Sequence, residues 1–313
     1  MKRINSEFTI GPLKATFSIV AVDPSTKQVG VAVESKYFAV GAVVPWVRAG
    51  IGAVATQANV RARYGSLILD ALAKGERPQV VLDAVLASDS NAAYRQIGIV
   101  SADGEVANHT GTECLEWAGA RTGQGFSIQG NILVGEGVVD SMADAFISSS
   151  GTLAERLLAS LEAGQEAGGD KRGQQSAALL VEQLGYEDIG AEGIDRLVDL
   201  RVDDHTEPIK ELRRLFGIWQ VGDLQAQAMR RYNEKDYSAA VGIMAEVNER
   251  SPNIPSTLYN LACFECLLGL STESISHLKQ AIKLDTSMRE LAKNDSDFES
   301  IRDMPEFADL MSA

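Results

Sequence analysis

Thr16-Phe17-Ser18-Ile19-Val20-Ala21-Val22 is followed, across Asp23-Pro24-Ser25-Thr26-Lys27-Gln28, by Val29-Gly30-Val31-Ala32-Val33-Glu34-Ser35-Lys36. Two β-type apolar runs joined by a loop of turn residues predict a hairpin, Thr16–Val22 with Val29–Lys36. Working outward, Val40–Val47 and Ala49–Thr56 repeat the rhythm and are expected to be strands. Tyr64–Lys74 and Pro78–Ala87 instead space their apolar residues three and four apart, with Gly75 between them, which predicts two helices. Gln96–Val100 and Glu105–Asn108 flank Ser101-Ala102-Asp103-Gly104, and Asp-Gly suits a tight hairpin turn. A strand is expected over Phe126–Val134, helices over Val138–Ile147 and Leu153–Ala163, and the last strands over Gln174–Gln183 and Asp195–Val202. A final helix, Pro208–Trp219, is expected to close the domain. Strands, a helix pair, strands and a second helix pair predict two sheets with helices outside them, an α+β layered sandwich and not a parallel βαβ repeat.

The chain has 313 residues, 45% hydrophobic and 23% charged, an ordinary globular composition. Its formal charge of −14 disfavours phosphate backbones and anionic membrane surfaces, so neither nucleic acid nor membrane is expected as a partner. Cys114, Cys263 and Cys266 cannot all pair, and free thiols in a reducing compartment are expected. No apolar run follows Lys2-Arg3, and no window approaches the roughly 20 apolar residues that span a bilayer. The expected location is cytoplasmic.

Residues 224–290 carry a second signal. Leu224 matches Leu258, Ala228 matches Ala262, Val241 matches Ile275 and Met244 matches Leu278, all 34 positions apart. That period belongs to helix-turn-helix repeats, and Tyr259–Cys263 with Gly269, Ser274–Leu278 and Ala281 resembles tetratricopeptide (TPR) repeats. Two such repeats must lean on the first domain or on another chain. A protein partner for these helices and a homo-oligomer are therefore expected, with Asp295–Phe307 as a cap.

Five stretches carry a further resemblance: Thr16–Ala21, Val40-Gly41-Ala42-Val43-Val44-Pro45-Trp46, Gly52-Ala53-Val54-Ala55-Thr56-Gln57-Ala58, Gln129-Gly130-Asn131-Ile132-Leu133-Val134-Gly135 and Val198–Asp204. Together they resemble a bacterial family of unknown function assigned to the N-terminal nucleophile (Ntn) hydrolase superfamily, over about residues 16–217. The resemblance implies a four-layer αββα sandwich. The expected architecture is thus an α+β, Ntn-hydrolase-like αββα domain over residues 16–220, preceded by an extension of residues 1–15 and followed by an all-α TPR-like domain over residues 221–313.

The resemblance also points to chemistry. A threonine that becomes residue one carries its own base, because an α-amine with a reference pKa of roughly 7.7–8.0 takes the hydroxyl proton near neutral pH. Family members often carry Met directly before this threonine, whereas fifteen residues precede Thr16 here, so catalysis requires cleavage of Ala15–Thr16. Lys36 beside that amine would lower its pKa, and Glu34, on the same strand face as Lys36, would hold the lysine. Gln57, Asn59, Gln129 and Asn131 are candidate oxyanion donors near strand ends, and Arg172, in the glycine-rich turn Gly168–Ser176, is a candidate anchor for a substrate carboxylate. The first functional reading is an amidohydrolase that cleaves a carboxamide or peptide-like C–N bond without a metal or cofactor. The second is a non-catalytic scaffold of Ntn type that uses its TPR helices for protein partners.

Other residues weigh less. Asp203-Asp204-His205 offers metal-ligand types, but adjacent residues rarely converge, and a cap by Asp204 or Thr206 on the following helix is the plainer reading. Cys263-Phe264-Glu265-Cys266 has redox spacing without its βαβ context. Cys114 and the indoles of Trp46 and Trp117 read as packing, His109 as a turn residue and His277 as part of a polar helix face.

Overall fold

The computed structural model describes residues 16–186 and 195–312. The chain divides into two compact units, residues 1–216 and 217–313.

In the first unit the opening hairpin forms as the sequence predicts. Strand β1 (Thr16–Asp23) pairs antiparallel with β2 (Gln28–Ser35), so that Phe17 faces Glu34 and Asp23 faces Gln28. The next elements are β3 (Pro45–Arg48), β4 (Gly52–Ala58), helices α1 (Arg63–Leu72) and α2 (Pro78–Ala87), β5 (Arg95–Ser101) and β6 (Val106–Thr110). Then come β7 (Gly119–Gly123), β8 (Phe126–Asn131), α3 (Gly137–Ser148), α4 (Leu153–Glu166), β9 (Ser176–Gln183) and β10 (Arg196–Val202). Two antiparallel sheets result, ordered β10-β9-β2-β1-β8-β7 and β3-β4-β5-β6. Mixed α and β structure with antiparallel sheets is therefore the architecture.

The central strands are buried on both faces, which is why β1, β2 and β4 read as nearly continuous apolar runs. Val20, Val31, Val33, Ala53, Ala55 and Val100 form one core between the sheets. Val54, Ile97 and Ile99 turn the other way, onto Tyr64, Ile68 and Leu69 of α1 and Val81 and Leu82 of α2. On the larger sheet α4 packs across β1 and β2 so closely that a Cβ at Gly30 would stand 2.8 Å from Leu157. Thr152 opens α4 with a reciprocal cap, its hydroxyl taking the Glu155 N–H while the Glu155 carboxylate takes the Thr152 N–H.

Three expectations need correction. Val40–Val47 is not one strand: Val40–Ala42 forms a 3₁₀ turn entered through Ala39 at φ 54°, and Val40 and Val44 are spent in filling the core between the sheets. Strand β7 went unforeseen because Gly119-Ala120-Arg121-Thr122-Gly123 has no apolar alternation and a single β-branched residue between two glycines; it lies at a sheet edge. The last helix runs from Pro208 to Asn233 (α5), well past Trp219: no proline follows Pro208 within it, and Gly217 and Gly222 are tolerated inside it.

The second unit is helical. After α5 come α6 (Tyr237–Arg250), α7 (Pro255–Leu268), α8 (Ser271–Leu284), α9 (Ser287–Asn294), a 3₁₀ turn (Ser296–Ile301) and α10 (Pro305–Ser312). Tyr237 and Ser271, the first residues of α6 and α8, stand 34 positions apart. Leu224, Ala228, Val241, Met244 and their partners 34 residues on all belong to one apolar cluster. Gly269, in the left-handed region at φ 88°, ends α7 and turns the chain into α8. Among the described residues, no helix is long and apolar enough to cross a membrane.

Candidate functional site

Thr16 is fully buried at the first position of β1. Because Phe17 pairs with Glu34, the residue across from Thr16 on β2 is Ser35, and the Thr16 hydroxyl donates to Ser35 Oγ at 3.2 Å. On its other side Thr16 pairs with Asn131 of β8. Strand alternation then sends Thr16, Ser18 and Val20 toward the smaller sheet and Phe17 and Ile19 toward α3 and α4.

Between the sheets this geometry builds a buried network of hydroxyls and amides. Gln57 Nε2 donates to the Thr16 carbonyl at 3.2 Å, to Gln96 Oε1 at 2.8 Å and to the Gln129 carbonyl at 3.3 Å. Its Oε1 accepts from the Ser18 hydroxyl at 2.6 Å. Gln129 Nε2 reaches Ser18 Oγ at 2.7 Å, Asn131 Nδ2 donates to Gln96 Oε1 at 2.9 Å, and Gln129 Oε1 accepts from Asn108 and Ser127. Gly98 makes room for this, since a Cβ there would lie 2.1 Å from Gln129 Oε1.

Of the candidates read from the sequence, Thr16, Gln57, Gln129 and Asn131 therefore come together. Ser18, Gln96, Asn108 and Ser127 join them unforeseen. Gln96 had one legible signal, its position at the head of an apolar strand; Gln57 stands directly across from it in the β4–β5 register.

The others go elsewhere. Asn59 offers its main chain, donating to the Tyr94 carbonyl and accepting from Arg95. Lys36 lies past the end of β2, exposed, with Nζ on the Gln174 carbonyl at 3.0 Å. Glu34, paired with Phe17, faces α4 and the Asp170 turn, the side of the sheet away from the Thr16 hydroxyl. Its carboxyl is fully buried. Burial and the neighbouring Asp170 carboxylate push Glu34 well above the usual carboxylate range, with the Gln175 main chain, Arg172 and Lys36 opposing. Arg172 forms an ion pair with Asp170 at 3.0 Å, and Asp170 also takes the Lys36 N–H at 2.9 Å. The extension of residues 1–15, including Ala15, lies outside the described residues.

Asp203, Asp204 and His205 do not converge. The Asp203 carbonyl accepts from Ala39, Asp204 Oδ1 accepts from Gln175 Nε2 at 3.0 Å, and His205 Nδ1 accepts the Glu207 N–H at 3.0 Å. The imidazole thus takes an N–H at the entry to α5. A different trio, Cys263, Asp295 and Asp297, holds its potential ligand atoms within 4.8 Å of one another. Tyr259 already donates to Asp295 at 2.7 Å and Tyr232 to Asp297 at 2.9 Å, and burial pushes the Cys263 thiol far up. Cys266 is buried against Ser300, Cys114 donates to the Arg95 carbonyl, and Trp46 stacks over Gly65 of α1. His109 Nε2 donates to the Ala92 carbonyl, 2.9 Å away, and His277 pairs with buried Glu265 at 2.8 Å.

Two open cavities flank these elements. One of about 660 Å³ lies between β7 and α3, lined by Arg121, Phe126, Phe146 and Arg156 among others. Another of about 330 Å³ is lined by Lys36, Gln174, Gln175, Asp204, His205 and Thr206.

These features define a two-sheet α and β domain with a buried hydroxyl and amide network at one end of its central strands. Residues 16–212 match a family of unknown function, DUF1028, and the chain belongs to that family. A crystal structure of the protein SPO2555 from Silicibacter pomeroyi, described as a DUF1028 member, is similar: 33% sequence identity and a TM-score of 0.59, over 64% of this chain and 84% of that one. No curated protein matches the chain.

Proposed function

We propose that the first unit is an Ntn-type amidohydrolase with Thr16 as its nucleophile after loss of residues 1–15. The observation that carries this reading is the position of Thr16: it opens β1, its hydroxyl is held by Ser35, its carbonyl is held by Gln57, and the family match begins at the same residue. In the reaction the freed α-amine of Thr16 takes the Oγ1 proton as Oγ1 attacks the amide carbon. The C–N bond breaks, the proton passes to the leaving amine, and water hydrolyses the resulting ester. Gln57, the side-chain amide that reaches Thr16, is the oxyanion donor we assign, with Gln129 and Asn131 supporting it. Cleavage of Ala15–Thr16 is the enabling step, with the Thr16 hydroxyl attacking the Ala15 carbonyl.

The full burial of Thr16 and the internal satisfaction of the Gln57 and Gln129 amides favour a second reading, a non-catalytic scaffold of the same αββα type. In that reading the 34-residue helical register of the second unit is TPR-like and receives a peptide from a protein partner or a second copy of the chain.

Intact mass and N-terminal sequencing of untagged protein, beside Thr16→Ala, separate the two. A wild-type chain beginning at Thr16 with an uncut variant supports the hydrolase and justifies a screen of amide substrates. An uncut wild-type chain, in cells and after long incubation, overturns it in favour of the scaffold.

A further inference from the structure

The cavity of about 330 Å³ beside Lys36 is lined by Gln174, Gln175, Asp204, His205 and Thr206, each of which carries a polar or charged group. It lies at the end of the larger sheet where β1 starts at Thr16, β2 ends at Ser35 and β9 starts at Ser176. Its polar groups have a definite polarity. Lys36 Nζ spends one N–H on the Gln174 carbonyl and keeps two for a ligand. His205 Nδ1 accepts from the Glu207 main chain, which leaves Nε2 as the ring's donor. Asp204 takes one hydrogen bond from Gln175 Nε2 on Oδ1.

An ammonium and an imidazole that can donate, and a carboxylate that can accept, thus line one small cavity, which matches a molecule that carries both charges on adjacent atoms.

We propose that this cleft binds a small α-amino carboxylate, its carboxylate on the Lys36 ammonium and His205 Nε2 and its ammonium on Asp204. Lys36 is then a substrate-binding residue and not a partner of the Thr16 amine. That the bound group is the polar end of an amide substrate rests on the amidohydrolase reading; the binding itself does not.

The test titrates full-length Thr16→Ala protein, which cannot use the nucleophile, with L-alanine, propionate and ethylamine, followed by calorimetry and NMR. L-alanine is expected to saturate with a Kd of about 1 mM or tighter, with each single-charge probe at least about tenfold weaker. Lys36→Ala and Asp204→Asn should each weaken L-alanine by about tenfold without a change in Tm, and His205→Gln, which keeps a donor, by less. Absence of saturable binding, propionate as tight as L-alanine, or binding indifferent to Lys36→Ala and Asp204→Asn would overturn the proposal. Loss of N-terminal processing with L-alanine binding intact removes only the hydrolase reading, and the reverse result removes only this one.

Discussion

The hydroxyl of Thr16 donates to Ser35 Oγ, 3.2 Å away across the β1–β2 pair, and this contact, not one with Lys36, defines the surroundings of the candidate nucleophile. Ser35→Ala leaves a buried hydroxyl without its acceptor. The expected loss of stability is about 1–3 kcal/mol by denaturant unfolding, together with slower appearance of a chain beginning at Thr16. Unchanged processing would remove Ser35 from the mechanism.

Gln57→Leu should be among the costliest single changes in the first unit. It strips a donor from the Thr16 carbonyl, from Gln96 Oε1 and from the Gln129 carbonyl, and an acceptor from Ser18. Several orphaned buried groups predict a loss of at least about 3 kcal/mol. Asn59→Ala, which leaves that residue's main-chain bonds in place, should stay within about 0.5 kcal/mol. Equal midpoints for the two variants would contradict the network.

Glu34 predicts a pH dependence. Burial and Asp170 raise its folded pKa well above the ordinary 4.5, so the folded protein holds this proton more tightly than the unfolded chain does. The stability it contributes is complete below that ordinary value and is lost as pH rises through the folded one. Glu34→Gln cannot ionise, so its stability should fall less than that of the wild type between pH 4 and pH 8. Parallel urea midpoints across that range would show that the carboxyl is solvated.

In the second unit His277 carries the opposite kind of group with the same sign. Its hydrogen bond to buried Glu265 raises its folded pKa above 6.5, against the burial that lowers it. The stabilising contribution is therefore present below 6.5 and lost as pH rises through the raised value. His277→Gln should abolish that slope, and an NMR titration of His277 should give a midpoint above the free imidazole's.

Much of the fold was legible because its signals are local. The Asp23–Gln28 loop between two β-branched runs, Pro78 at the head of α2 and Gly269 at the foot of α7 each act within a few residues of themselves. The same locality misled where tertiary contacts overrule it: Val40 and Val44 fill the core between the sheets instead of extending a strand, and β7 forms at a sheet edge without a strand's composition.

The candidate site divides along the same line. Sequence alone determined that a threonine opens the first strand, that Gln129 and Asn131 sit in a strand and that Gln57 lies at a strand's end, because residue type and periodicity are written in order along the chain. Only the tertiary structure decided that Gln57 and Gln96 of one sheet meet Ser18 and Asn131 of the other, that Lys36 lines a cleft with His205, and that Glu34 turns toward α4. The physical reason is strand register. A shift of one residue exchanges the two faces of a strand, and what sets the register is the packing of both sheets against each other and their helices.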